Sequence, residues 1–154
     1  RSGWCVMIKI SAPSELANHI GDDFKSGESL LVLDELIEAF LEISGDRQSI
    51  HTAEAEERVV PGNLLISLIP RLLQSCLSVS DFERCVTVKY SEIRFKSPLI
   101  AGERLTLSGQ IFDVRERAGD TFVTADVSLL ESDSGRLILN AQVTDLYETR
   151  TSSD

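Results

Sequence analysis

The residues of this sequence best suited to acid–base chemistry are an aspartate and a histidine five positions apart. Asp46 follows Gly45, and His51 closes the short polar segment that begins there. A carboxylate and an imidazole in one loop can face a common pocket, where they can orient a water molecule and move its protons near neutral pH. Taken singly, each is more commonly a turn, packed or solvated residue. As a pair they are candidate acid–base groups.

A second candidate lies eleven residues after His51, where Pro61 and Gly62 precede a long apolar segment. The free N–H groups at the start of a helix carry partial positive charge and suit an oxyanion or a polarised carbonyl. Pro-Gly is also ordinary sequence at the start of a helix. Gly62 is therefore a candidate oxyanion donor through its backbone.

Helices in the first half of the chain must position these groups. Residues 14–18 suit a short helix, and residues 29–33 suit a first strand. Asp34 is then expected to cap a helix with one apolar stripe, which ends at Gly45. The following polar segment is expected to form one turn of helix at Thr52–Arg58.

The segment 61–77 is apolar on most sides, which predicts a buried central helix. Pro70 removes a backbone donor near its middle, so we expect either a bend there or a break into two helices.

The second half of the chain alternates apolar and polar residues with period two, which predicts strands. These stretches are residues 84–98, 104–116, 121–131 and 136–148. Turn sequences at 118–120 and 132–135 separate the last three and predict an antiparallel meander. Helices followed by strands favour an α+β fold, in which a curled antiparallel sheet wraps around the central helix.

Length and composition are those of one ordinary globular domain. The chain has 154 residues, of which 42% are hydrophobic and 26% are charged. We expect a single domain at 7–148, with residues 1–6 as an expression or upstream remnant and residues 149–154 as a loose tail.

Charge and residue usage exclude several classes of function. The net charge of −10 argues against a nucleic-acid partner, which requires a basic face. No apolar run is long enough to cross a membrane, so a cytoplasmic protein is expected. Two histidines and no paired cysteine spacing argue against a metal site, and no cofactor is expected. The cysteines, which are Cys5, Cys76 and Cys85, are expected to be reduced and mostly buried.

Three segments together resemble a known family. Residues 40–51 read Phe-Leu-Glu-Ile-Ser-Gly-Asp-Arg-Gln-Ser-Ile-His, residues 60–68 read Val-Pro-Gly-Asn-Leu-Leu-Ile-Ser-Leu, and residues 88–103 contain Arg-Phe-Lys-Ser-Pro and Ala-Gly-Glu. This order is similar to the MaoC-like dehydratase and (R)-specific enoyl-CoA hydratase family, and Gly-Asp-Arg-Gln-x-Ile-His is nearest its nodulation-protein-N-like branch. The resemblance covers about residues 8–148.

The resemblance implies a hotdog fold and a reaction. Asp46 and His51 would add water to, or remove it from, the 2,3-double bond of an acyl thioester, and the N–H of Gly62 would stabilise the thioester oxyanion. Gln48, Pro61 and Asn63 are implied to contact the substrate. The thioester would be carried by coenzyme A or by acyl carrier protein, and a homodimer joining two sheets is implied.

The sequence also departs from the family pattern and leaves alternatives open. Gln48 and Ser49 replace an Asn-Pro pair, Pro61 replaces a histidine, and the segment between His51 and Gly62 is several residues shorter than usual. A non-catalytic module that binds acyl-CoA is therefore one alternative. An acyl-CoA thioesterase is a weaker one, because no Asp or Glu occurs from Val59 to Ser80 to activate water.

Overall fold

The computed structural model describes residues 7–149. Residues 1–6, where a remnant is expected, and residues 150–154, which are most of the expected tail, lie outside the described residues. In chain order the strands are β1 (Ile8–Ile10), β2 (Asp23–Lys25), β3 (Leu30–Leu31), β4 (Leu77–Val79), β5 (Arg84–Phe95), β6 (Arg104–Arg117), β7 (Asp120–Glu131) and β8 (Leu137–Glu148). The α-helices are α1 (Asp34–Ser44) and α2 (Gly62–Gln74).

The main sheet has six strands and is antiparallel. Its order is β2–β6–β7–β8–β5, and β3 also pairs with β6 beside β2. The long strands β6, β7 and β8 form the meander that the sequence predicts. Along β7 the odd-numbered residues are buried while the even-numbered ones are partly exposed, so one face of the sheet is apolar. An apolar sheet face of this kind must pack against another element to be shielded from water.

Helix α2 is the centre of the core. Its buried residues are Leu64, Leu65, Leu68, Ile69, Leu72 and Leu73, and they join the inward residues of the sheet in one cluster. Pro70 lies inside the helix, which continues past it to Gln74 without a break into two helices. The helix ends three residues before the predicted end, because Leu77 begins β4. The predicted α+β class, with a sheet around a central helix, is confirmed.

The first half of the chain departs from several local expectations. Leu33, and not Asp34, is the residue that precedes α1, and no side chain caps the helix. The Asp34 carboxylate instead pairs with Arg58. The C-terminal end is as predicted: Gly45 has φ of 72°, and its N–H donates to the carbonyl of Leu41.

Short elements account for the other differences. The first helix is a 3-10 helix at Pro13–His19, and the predicted strand at 29–33 is reduced to β3. The predicted helical turn at Thr52–Arg58 is wrong: the turn is a 3-10 helix at Ser49–His51, followed by irregular chain. Within residues 7–149 there is no helix long and apolar enough to cross a membrane.

Candidate active site

The structure brings Asp46 and His51 together. Asp46 directly follows the glycine that ends α1, and its Oδ1 accepts a hydrogen bond from the backbone N–H of Gln48 at 3.2 Å. His51 is the last residue of the 3-10 turn, and its N–H donates to the carbonyl of Gln48 at 3.0 Å. His51 Nε2 lies 3.6 Å from Asp46 Oδ2. The turn thus folds the two side chains onto one another.

The other ring nitrogen of His51 determines what the pair can do. Nδ1 lies 2.7 Å from the backbone carbonyl oxygen of Val59. Because a carbonyl only accepts, Nδ1 must carry a hydrogen, and in the neutral ring Nε2 is then the bare, basic nitrogen. Its lone pair faces the carboxylate across a gap longer than a good hydrogen bond. A water molecule or a substrate oxygen can bridge a gap of that kind.

The two members of the pair differ in their contact with solvent. The side chain of His51 is 10% exposed and that of Asp46 is 31% exposed. The imidazole is therefore held inside the protein, while the carboxylate remains open to an incoming molecule.

A cavity of about 410 Å³ opens beside His51. Its size falls within the range of small-molecule sites. One wall comes from the loop and the start of α2, and the other from the segment that follows β5. The lining residues are His51, Val59, Val60, Gly62, Leu65, Phe95, Lys96, Ser97, Pro98 and Leu99. The wall is mostly apolar, with one cation and one histidine.

Gly62 lies in this wall at the first position of α2. Its N–H has no carbonyl acceptor within the helix, because the first N–H groups of any helix lack one. The aromatic ring of Phe95 lies so close that a Cβ at position 62 would sit 2.7 Å from Phe95 Cε1. Any side chain there would displace the ring. A larger residue at position 62 therefore requires the exposed Phe95 ring to move, and Gly62 shares a cavity with His51.

The other residues predicted to bind substrate do not line the cavity. Gln48 is exposed and contributes backbone contacts to the turn. Pro61 is buried, and its carbonyl accepts from the N–H groups of Leu64 and Leu65. Asn63 is exposed. Their roles toward a substrate remain predictions.

Two residues at the site, Lys96 and Arg58, were not predicted as site residues from the sequence. Lys96 lines the cavity, whereas Arg94 lies outside it and pairs with Glu92. Arg58, assigned from sequence to a helical turn, is buried and donates from Nε to the carbonyl of His51 at 2.7 Å. Two sequence features could have indicated a buried role for Arg58. It lies between an acidic stretch and the apolar Val59-Val60, and α1 carries two acidic residues one turn apart that could pair with it.

A separate polar cluster lies under the far half of α2. Asp145 points inward from β8 and accepts a hydrogen bond from Thr87 Oγ1 at 2.8 Å. Burial raises the pKa of Asp145, although the Thr87 hydrogen bond opposes the rise. Of the cysteines expected to be mostly buried, Cys76 is buried, Cys85 lies exposed on β5, and Cys5 is outside the described residues. Partial burial of the Cys85 thiol, with the charge of Asp145, raises the pKa of Cys85 to about 11, so it is not a thiolate nucleophile at neutral pH.

Solved structures share this architecture. A MaoC-like dehydratase from Rhodospirillum rubrum aligns with 86% of this chain and 94% of its own, at 18% identity and a TM-score of 0.69. An (R)-hydratase from A. caviae involved in PHA biosynthesis aligns with 85% of this chain and 96% of its own, at 19% identity and a TM-score of 0.64. A protein from Archaeoglobus, named as a monoamine oxidase regulatory protein, aligns with 94% of this chain and 100% of its own, at 19% identity and a TM-score of 0.72. At these identities the likeness shows the hotdog fold.

No curated protein sequence matches the chain. The family model described as "FAS1-like, dehydratase domain region" matches residues 18–148, which is most of the chain and includes every predicted site residue. Nothing in these comparisons tests the nodulation-protein-N-like branch. The chain belongs to the MaoC-like, FAS1-like dehydratase domain family and has its hotdog fold.

Proposed function

We propose that this chain is a hydratase or dehydratase that adds water to, or removes it from, the 2,3-double bond of an acyl thioester. The site lies in a single hotdog domain spanning residues 7–148. The observation that carries the proposal is the environment of His51. Its Nδ1–H is fixed on the carbonyl of Val59, so its basic Nε2 is directed toward Asp46, and Gly62 lies in the same cavity wall.

The geometry supports a hydration step in which all protons are accounted for. His51 Nε2 removes a proton from a water molecule as the water oxygen bonds to Cβ of the enoyl thioester. The π electrons move toward the thioester oxygen, which accepts a hydrogen bond from the Gly62 N–H. His51 then passes the proton taken from water to the Asp46 carboxylate, which delivers it to Cα, so both groups return to their starting states. Dehydration is the reverse, and the two groups can share these roles.

The proposed substrate is the thioester of coenzyme A or of acyl carrier protein. Both handles join the acyl group through a phosphopantetheine arm, which is polar and anionic at its far end. Lys96 is the cation on the cavity wall, and an exposed ammonium is suited to meet such an anion. Gln48, Pro61 and Asn63 are retained as proposed contacts to the thioester arm. No cofactor is required by this chemistry, and a cytoplasmic location is proposed.

A homodimer is part of the proposal. Strand β5 is the last strand of the sheet order, and its pairing partner among the described strands is β8. It exposes Val86, Val88 and Phe95, and a long apolar edge of this kind is usually covered by pairing. The cavity wall continues directly from β5 through Lys96, so a second copy on this edge would close the site. Light scattering should give the mass of two chains, and Val88→Asp should reduce it to one.

The activity is tested by the ultraviolet absorbance of the conjugated thioester. Trans-2-enoyl-CoA substrates from four-carbon to long acyl chains, and the same acyl groups on pantetheine, are incubated with the protein. Hydration should remove the absorbance without releasing free thiol. Intact folded protein that leaves the absorbance of every substrate unchanged would refute the proposal.

A second candidate is a non-catalytic module that binds acyl thioesters. The specific observation in its favour is Phe95, whose ring lies directly against Gly62 and occupies space next to the proposed oxyanion donor. This candidate predicts that wild type and Asp46→Asn bind an enoyl-CoA with equal affinity and that neither turns it over. Release of free thiol would instead identify the thioesterase alternative.

A further inference from the structure

Arg58 is a buried cation beside the proposed catalytic histidine. Its side chain is 6% exposed, although arginine is among the residues least often buried. In the described chain it is one of five buried polar residues, and His51 is another. A buried guanidinium is stable only when its donors are satisfied.

The guanidinium connects α1 to the turn that carries His51. Nε donates to the backbone carbonyl of His51 at 2.7 Å. Nη1 donates to Asp34 Oδ1 at 3.0 Å, and Nη2 donates to Glu38 Oε1. Asp34 and Glu38 lie four residues apart on one face of α1, so the planar guanidinium meets both. The histidine turn is thereby tied to the helix whose end carries Asp46.

The residue after Arg58 makes the contacts that orient the imidazole. The N–H of Val59 donates to the carbonyl of Ile50 at 2.8 Å, and its carbonyl accepts from His51 Nδ1. The carbonyl of Arg58 accepts from the N–H of Ala101 at 2.9 Å. Residues 58 and 59 therefore hold His51 by its own carbonyl, by the neighbouring residue and by its ring.

Charge favours this arrangement. Burial disfavours the charged guanidinium, but the hydrogen bonds and charges of Glu38 and Asp34 outweigh it and raise the pKa of Arg58. The cation is therefore permanent over the working range of pH. Its bond to the His51 carbonyl is charge-assisted, and such bonds are stronger than neutral ones.

We propose that Arg58 is a positioning residue that fixes the tautomer and orientation of His51 by tying its turn to α1. The catalytic part of the inference rests on the proposed function, since it assumes that His51 Nε2 is the base. The structural part, the tautomer of His51, does not.

The consequence of removing the guanidinium follows from these contacts. In Arg58→Met the His51 carbonyl and both α1 carboxylates lose their donor. The backbone contacts of residues 58 and 59 remain, but the turn that carries His51 is no longer tied to α1 and can shift Nδ1 away from the carbonyl of Val59. The imidazole then exchanges between tautomers and orientations. We expect kcat to fall about 10²-fold, as a misplacement of about 1 Å produces, while KM changes little because Arg58 does not line the cavity.

The test is side-chain nitrogen NMR of protein labelled with ¹⁵N-histidine, together with kcat and KM. The chain has two histidines, so His19→Asn assigns the signals of His51. Above the pKa of the imidazole, wild type should show His51 with its hydrogen on Nδ1. Arg58→Met should show a mixture of the two tautomers and a lowered kcat. Arg58→Lys retains the charge but not the planar group that contacts three partners. Its tautomer populations and its kcat should lie between those of wild type and Arg58→Met.

Ile111→Ala is the stability-matched control. Ile111 is buried in β6, and its truncation should lower the melting temperature without changing the His51 tautomer. If Arg58→Met fails to fold, Asp34→Asn combined with Glu38→Gln replaces it, and the same shift toward a tautomer mixture is expected.

The outcomes separate this inference from the proposed function. A tautomer that is fixed on Nδ1 in wild type and mixed in Arg58→Met, without turnover by either, supports the positioning role and refutes the hydratase. An unchanged tautomer and an unchanged kcat in the Arg58 variants would overturn the inference. It would also be overturned if Ile111→Ala changed the tautomer to the same extent.

Discussion

Residues 7–149 contain two histidine–aspartate pairs, and the closer pair is not the one whose histidine lines the cavity. His19 Nδ1 lies 3.0 Å from Asp22 Oδ2, in an exposed turn after the first 3-10 helix. His51 Nε2 lies 3.6 Å from Asp46 Oδ2. The side chain of His19 is 33% exposed and that of His51 is 10% exposed. Distance alone would rank the exposed pair first, whereas the proposed function assigns catalysis to the buried pair.

The difference lies in what holds the imidazole. In the exposed pair the aspartate contacts Nδ1 directly, and a surface pair of this kind contributes little to stability. In the pair of His51 and Asp46, Nδ1 donates to the carbonyl of Val59, so Nε2 remains basic. Nε2 is directed toward the Asp46 carboxylate but lies beyond hydrogen-bond distance from it. At 3.6 Å the Nε2 lone pair has no hydrogen bond with the carboxylate, so Nε2 is free to accept one from a water molecule that lies beside the pair. Each of the following substitutions tests one part of this contrast.

The largest effect is expected from removal of the buried imidazole. His51→Asn should lower kcat/KM for an enoyl thioester by about 10²–10⁴-fold, the usual contribution of a general acid–base group. His19→Asn is the matched control and should leave turnover unchanged. Steady-state kinetics on both variants measures kcat/KM. An equal loss of kcat/KM in the two variants would contradict the distinction between the two pairs.

The next effect is expected at Gly62. A methyl group there would meet the ring of Phe95 at 2.7 Å and displace the wall beside the oxyanion donor. Because alanine keeps the backbone N–H, Gly62→Ala should lower kcat through the displaced ring alone, by less than the about 10²-fold that loss of one donor produces. Adding Phe95→Ala removes the clash and should restore most of the loss. Failure of this rescue would show that the ring is not the reason for the glycine.

A smaller effect, confined to stability, is expected at Asp145. Burial raises the pKa of this carboxyl above its unfolded value of about 3.9, so ionisation opposes folding. The penalty is absent below the unfolded pKa and is fully present above the folded one. Asp145→Asn should thus raise the melting temperature at pH 8, and this gain should shrink as the pH falls toward 4. Asp126→Asn, on the outer face of β7, is the control, and a gain independent of pH would contradict the account.

The smallest effect is expected in the exposed pair. Asp22→Asn removes the partner of His19 and should change the free energy of unfolding by less than about 1 kcal/mol. Denaturant unfolding measures it. A loss of several kcal/mol would mean that this pair is structural in a way that its exposure does not suggest.

Much of the fold was predictable because its main elements have strong periodic patterns. The four long strands and the apolar segment that became α2 carry period-two or all-round apolar sequence. Burial enforces the pattern in β6, β7, β8 and α2, whereas β5 is mostly exposed. Strands β1, β2 and β4 were missed because three residues give too little pattern. The end of α2 was misplaced because Leu77 is apolar in either state, and only its pairing with Ile8 decides.

The site was predictable only in part. Asp46, His51 and Gly62 were predicted because their spacing matches a family motif, and the structure places His51 near both of the others. Arg58 was missed because its role depends on a contact with Glu38, twenty residues away, which no local pattern encodes. The carbonyl of Val59 is a backbone group, and its part in fixing the tautomer is independent of the type of side chain at that position.

The measurement that most directly tests the central claim is the hydration of a trans-2-enoyl thioester in D₂O, with mass spectrometry of the product. Wild type should give a 3-hydroxyacyl thioester with one deuterium at Cα, and His51→Asn should give almost none in the same time. The account would be contradicted if folded wild type formed no hydrated product from any acyl length, or if His51→Asn formed it at the wild-type rate.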